Sequence, residues 1–176
     1  MDDSIERSDA GQRPGETRFP QPESGYADAG LVFIGRIRSP WTERSACPKN
    51  MAKARETGRP ATVELDAPWR AALAGVAPGA AVHLLTWLDR ARRDLALQMP
   101  RHAEAPRGTF SLRSPVRPNP IGLHLVRILS LDIETGRIGI DAIDALDGTP
   151  LLDIKPYFAT VDVAREIGEG EPGWMA

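Results

Sequence analysis

Arg113, Arg117 and Asn119 stand within the run Arg113-Ser-Pro-Val-Arg-Pro-Asn-Pro-Ile-Gly122, two guanidiniums and a carboxamide on one short stretch of chain. Pro115, Pro118 and Pro120 fix their own φ angles and push Ser114, Arg117 and Asn119 out of the helical region. The backbone there is stiff and extended, and Gly122 ends it where a side chain would block a close approach. Polar groups on such a strip form a preformed surface. A second constellation surrounds the turn Asp147-Gly148-Thr149-Pro150, where Asp141, Asp144, Asp147 and Asp153 gather. Four carboxylates exceed what a turn needs. Some are expected to face a cation, an ammonium, a ribose hydroxyl or the arginines of the first segment.

Other patterns carry less. Gly168-Glu-Gly-Glu-Pro-Gly173 matches a dinucleotide-binding spacing, but three residues follow it and its glutamates would repel a phosphate. Cys47 could pair with His83, His102 or His124 as nucleophile and base, yet none has motif context. No short ligand spacing joins these residues, so no metal is expected. One cysteine excludes an internal disulfide and fits a reducing compartment.

The elements that must position these groups belong to one ordinary soluble domain. The chain has 176 residues, 41% of them hydrophobic, with mean hydropathy -0.30. Its longest apolar runs, such as residues 80–85, are far too short to span a membrane, and residues 1–7 have no leader pattern. A cytoplasmic protein without membrane contact is expected. Net charge is -2, but residues 31–127 carry 16 Lys and Arg against 7 Asp and Glu, a local +9. Such a concentration around the proline-rich run suits an anionic partner such as RNA.

Residues 1–29 have the composition of a flexible N-terminal extension, residues 30–165 form the domain, and residues 166–176 a C-terminal tail. Strands are expected at residues 31–37, 61–65, 80–88, 108–112, 122–131 and 137–143, with residues 151–163 in two pieces. A short helix is expected from Pro68 to Gly75, with Asp66 as its cap, and a long functional loop at residues 89–107. Along residues 123–131 a mostly apolar face (Leu123, Leu125, Leu129, Leu131) alternates with a mixed one (His124, Val126, Ile128, Ser130). The fold class is mainly β, a small antiparallel β-barrel or sandwich with one or two short helices.

Three stretches together resemble the TsaA-like family, also called TrmO. They are Ile34-Gly-Arg-Ile-Arg-Ser-Pro-Trp41, residues 107–123 with the proline-rich run, and Asp144-Ala-Leu-Asp-Gly-Thr-Pro-Leu-Leu-Asp-Ile-Lys-Pro-Tyr157. The resemblance covers about residues 32–160. It implies a β-barrel homodimer that uses S-adenosylmethionine, bound near the subunit interface, to methylate threonylcarbamoyladenosine beside the tRNA anticodon. It also implies donor contacts at Lys49, Asn50 and Met51, at Asp89 and Arg90, at Arg113 and Leu123, and along Asp141, Ala142, Ile143 and Asp144. Here Asp89 and Arg90 replace the family's usual histidine and glutamine, and Gly79-Ala80-Ala81-Val82 replaces its Phe-Ser-His-Leu run.

This division of labour makes chemical sense. S-adenosylmethionine carries a carboxylate for an arginine and two cationic centres for carboxylates, and Arg113 with Asp141 and Asp144 offers both signs. Methyl transfer is an in-line displacement, for which held geometry supplies much of the acceleration, so no dedicated base is required. Asn119, Lys155 and Tyr157 are the candidates for orienting the acceptor, with Arg117 on a phosphate or the acceptor's carboxylate. The alternatives are a related methyltransferase with another acceptor and a non-catalytic nucleotide- or RNA-binding barrel.

Overall fold

The computed structural model describes residues 12–19, 30–101 and 103–163. The expected C-terminal tail and His102 lie outside them. The described residues fall into two compact units, residues 30–91 with 120–163, and residues 12–19 with 92–101 and 103–119.

The larger unit is a closed barrel. In chain order its strands are β2 (Gly35–Arg38), β3 (Ala61–Leu65), β4 (Ala81–Trp87), β7 (Ile121–Asp132), β8 (Arg137–Ile140) and β9 (Pro150–Pro156). They close in the order β2-β3-β8-β7-β4-β9, every neighbour antiparallel. Period-2 alternation sends Ala61, Val63 and Leu65 inward from β3 and Val82, Leu84 and Thr86 inward from β4. Ile37, Ile138, Ile140 and Leu151 complete a core of fully buried branched side chains. Each contributes about 1.5–3 kcal/mol by leaving water. Register shifts at Leu85/Thr86 and Ile128/Ser130 give the local bends that closure demands.

On β7 the mixed face is the inner one. His124, Val126 and Ile128 are buried, whereas Leu123 is 48% and Leu129 52% exposed. Leucine count misleads here because facing is set by register, which pairs the inward Leu84 and Thr86 of β4 with His124 and Gly122. The first strand is also shorter than expected, since pairing with β9 begins at Gly35 and leaves Leu31, Val32 and Phe33 exposed. The Pro68 helix is a 3₁₀ segment (Ala67–Leu73), and Asp66 makes no side-chain cap bond. Two short α-helices flank the barrel, α1 (Met51–Glu56) and α2 (Ala159–Asp162).

The smaller unit corrects two expectations. Residues 12–19, read as part of a flexible extension, carry β1 (Thr17–Arg18), and the expected loop at 89–107 contains β5 (Leu95–Gln98). With β6 (Arg107–Gly108) they form a sheet in the order β1-β5-β6. The burial of Leu95 and Gln98 on β5, hidden in sequence by surrounding arginines, provides its core.

Gly35 has no room for a side chain. A Cβ there would run into the carbonyl oxygen of Glu64 and lie 3.0 Å from Leu65 Cα, both backbone atoms of the paired β3. Gly35→Ala should therefore destabilise the barrel by about 3 kcal/mol. Gly30→Ala, in open space, should change stability by less than about 0.5 kcal/mol. Urea unfolding of both variants checks the contrast, and equal midpoints would refute it.

Candidate functional site

The aspartate run follows β8, and its members do different work. Asp141 is fully engaged: Oδ1 accepts the Arg127 backbone N–H at 2.8 Å and Oδ2 accepts Arg55 Nε–H at 2.9 Å. Arg55 also donates through Nη2 to the Leu125 carbonyl at 2.6 Å, fastening α1 to β7. Asp141 is thus a clamp rather than a free carboxylate for a ligand cation. Ala142 and Ile143 have buried side chains, and the Ile143 carbonyl accepts Trp41 Nε1–H at 2.8 Å. Asp147 accepts the Ser39 backbone N–H at 3.1 Å, and Asp153 pairs with Lys155 at 2.8 Å.

Asp144 alone in the run keeps an oxygen free among the described residues. Its Oδ1 lies 2.6 Å from His124 Nδ1, and His124 Nε2 lies 2.9 Å from Thr86 Oγ1. A carboxylate only accepts, so Nδ1 carries the hydrogen, while the threonine hydroxyl serves Nε2. Thr86 is 0% and His124 4% exposed, but the Asp144 side chain is 18% exposed. The chain runs from the barrel interior to its surface. Gly122 is its spatial condition, since a Cβ there would collide with Thr86 Oγ1 and sit 2.6 Å from His124 Nε2.

The order Thr-His-Asp mimics a nucleophilic triad, but the hydroxyl is at the sealed end. Sequence reasoning set His124 aside for lack of motif context. The available signal was Gly122-Leu-His124 facing Thr86 across an antiparallel pair, which needs the β4–β7 register (Thr86 opposite Gly122) to be read.

The loop before α1 converges on the same run. Asn50 caps α1, its Oδ1 accepting Lys53 N–H at 2.9 Å, and Met51 packs against the core while Lys49 is exposed. Cys47, just upstream, feels the Asp144 charge. Leu123 lies on the face of β7 opposite His124. Asp89 and Arg90 are exposed at the turn leaving β4, and no side-chain bond among the described residues joins them to Asp144. Lys155 on β9 is exposed opposite His83, and Tyr157 meets that imidazole edge-on with ring centroids 5.7 Å apart.

Arg113, Arg117 and Asn119 belong to the smaller unit. Arg117 turns inward on its own segment, donating from Nη1 to the carbonyls of Leu112 (3.0 Å) and Ser114 (2.9 Å). These bonds use Nη1 alone and brace the segment, leaving Nε and Nη2 without a hydrogen bond among the described residues. Arg93 Nε–H to the Pro118 carbonyl and Gln98 Nε2–H to the Val116 carbonyl, each 2.6 Å, tie the strip to its sheet. Arg113 is exposed and lines a cavity of about 310 Å³ with Arg13, Gln98, Pro100, Arg101, Leu112 and Ser114. Asn119 is exposed.

The class is defined by a closed antiparallel barrel interrupted between β4 and β7 by a proline-stiffened unit, with an aspartate run after β8. The sequence profile described as tRNA-methyltransferase O N-terminal domain matches residues 36–163, and the chain belongs to that family. A probable S-adenosyl-L-methionine-binding protein, VirR of Rhizobium radiobacter, is 42% identical over 144 residues, covering 82% of this chain and 78% of that protein. The tRNA (adenine(37)-N6)-methyltransferase of Mus musculus is 48% identical over 71 residues, 40% of this chain and 16% of that one. The crystal structure of TrmO from Pseudomonas aeruginosa superposes with a TM-score of 0.60 at 33% identity, over 82% of this chain. The chain spans 64% of the length of that structure.

Burial first, and the Asp144 charge second, push the Cys47 thiol up to about 11, against a smaller pull from Arg44. Alkylation at pH 8 should be about 100-fold slower than for a free thiol and should rise with pH. Asp144→Asn removes the negative charge and should speed it. A rate unchanged by that substitution would show that the carboxylate does not face Cys47.

Proposed function

We propose that this protein is an S-adenosylmethionine-dependent methyltransferase that methylates the N6 nitrogen of threonylcarbamoyladenosine beside the tRNA anticodon. The observation that carries the reading is Asp144, a carboxylate held at one oxygen and open at the other, in the run where the family resemblance locates the donor. Membership of the tRNA-methyltransferase O family and similarity to proteins named for S-adenosylmethionine binding and tRNA methylation support it.

The residues fit such a donor. Asp144 suits its cationic part, and Arg113, whose guanidinium has no bonded partner among the described residues, suits a carboxylate. Lys49, Asn50, Met51, Asp89, Arg90, Leu123 and the backbone of residues 141–143 complete the proposed donor contacts. Asn50 and Asp141 act by holding their loops, since their side chains are engaged. When bound, S-adenosylmethionine supplies a methyl group on a sulfonium. That methyl would be open to in-line displacement by the acceptor nitrogen, with held geometry supplying much of the acceleration.

Asn119, Lys155 and Tyr157 orient the acceptor, with Arg117 stiffening the strip that bears Asn119. A tRNA substrate supports a cytoplasmic location. The exposed apolar stripe of Ile121, Leu123 and Leu129 supports a homodimer, because an uncovered row of this kind is costly in water.

Mass spectrometry of tRNA nucleosides from cells lacking the protein should show loss of methylated threonylcarbamoyladenosine, restored by the wild-type chain. An unchanged nucleoside profile would remove this acceptor. In calorimetry with S-adenosylmethionine, Arg113→Ala should weaken binding by about tenfold or more. Equal affinity would reassign the carboxylate contact.

A further inference from the structure

The structure assigns His124 a role in the donor site although it is almost fully buried. We infer that His124 is a positioning residue: its imidazole, braced by Thr86, holds one oxygen of Asp144 so that the other faces the donor's cationic part. This rests on the proposed reading of Asp144 as a donor contact.

Three observations converge on it. The two hydrogen bonds are short and consecutive, 2.9 Å from Thr86 to Nε2 and 2.6 Å from Nδ1 to Asp144, so ring rotation would break both. Thr86 and His124 are sealed from solvent while Asp144 reaches it, which gives the chain a direction, with one outward-facing end. Gly122 leaves the imidazole its space, since any side chain there would strike both Thr86 and the ring. Satisfying a buried imidazole does not require its acceptor to reach the surface with its second oxygen open, as Asp144 does.

The consequence is an aspartate whose orientation is fixed before the ligand arrives. Ordering a free carboxylate on binding costs affinity, and a carboxylate held through one oxygen avoids that cost. The same logic governs residues that orient metal ligands from behind, where losing the support weakens binding by about 10–100-fold.

The test compares two substitutions of unequal chemistry in the full-length protein. His124→Asn places an amide N–H near the position of Nδ1 and so keeps the bond to Asp144. His124→Leu cannot donate at all. Both lose the Thr86 bond and leave space in the core, so both should lower Tm. The dissociation constant for S-adenosylmethionine should rise about tenfold in His124→Leu and stay within about threefold of wild type in His124→Asn. Asp144→Ala should weaken binding at least as much, and His124→Leu combined with Asp144→Ala should add nothing further.

If affinity follows Tm and not the ability to donate, His124 is only structural and the inference falls. If Asp144→Ala weakens binding but His124→Leu does not, the inference fails while the reading of Asp144 stands. Unchanged affinity in Asp144→Ala overturns both. Should His124→Leu not fold, NMR decides: the imidazole Nδ1–H resonance of wild-type His124 should shift on titration with S-adenosylmethionine, and a stationary signal overturns the assignment.

Discussion

A buried imidazole must satisfy two nitrogens, and in a six-stranded barrel there is little space in which to do it. That constraint fixes much of what surrounds His124. Thr86 supplies a hydroxyl from β4, Asp144 a carboxylate from beyond β8, and Gly122 the absence of a side chain. The three come from separate stretches, so only the closed barrel assembles them. Removing the Thr86 hydroxyl or the Asp144 carboxylate leaves an imidazole nitrogen unpaired, at a cost of about 1–3 kcal/mol. A site whose outward group is held from inside the core inherits the rigidity of that core.

The aspartates show how one composition serves two purposes. Asp141 uses both oxygens to bind α1 and β7 through Arg55 and the Arg127 amide, and Asp147 anchors the Ser39 corner. Those bonds place the backbone from which Asp144 projects. Carboxylates that look equivalent in sequence thus divide into clamps and one presented group. The division follows from which of them meets an arginine or a backbone N–H, and that is a property of the register.

The barrel was legible because its signals are local. Residues 61–65 and the long strand through Leu123 read directly from alternation, and the Asp147-Gly148 turn from its residue types. Facing was not legible on β7, where leucines point outward and a histidine inward. Nor were β1 and β5, whose few apolar residues gain meaning only by pairing. The aspartates around the Asp147-Gly148 turn and the proline-rich strip stand out in the sequence by residue type. His124 and Thr86, 38 residues apart, do not, since their meeting depends on strand register, which no short motif encodes.

The basic block from residue 31 to 127 illustrates why charge must be judged after pairing. Arg38 meets Glu64, Arg55 meets Asp141, and Arg92 meets Asp94. Arg59 stacks over Trp41 with its guanidinium carbon 5.6 Å from the ring centroid, and Arg117 braces carbonyls. The three paired with carboxylates are largely compensated and offer a polyanion little. Arg90, Arg101 and Arg113 have no hydrogen bond or ion pair among the described residues, so their charge remains available. Exposed pairs contribute at most about 1 kcal/mol to stability, whereas an uncompensated guanidinium contributes to binding through every phosphate it meets. The electrostatic case for an RNA partner therefore rests on a few arginines rather than on a net charge of +9.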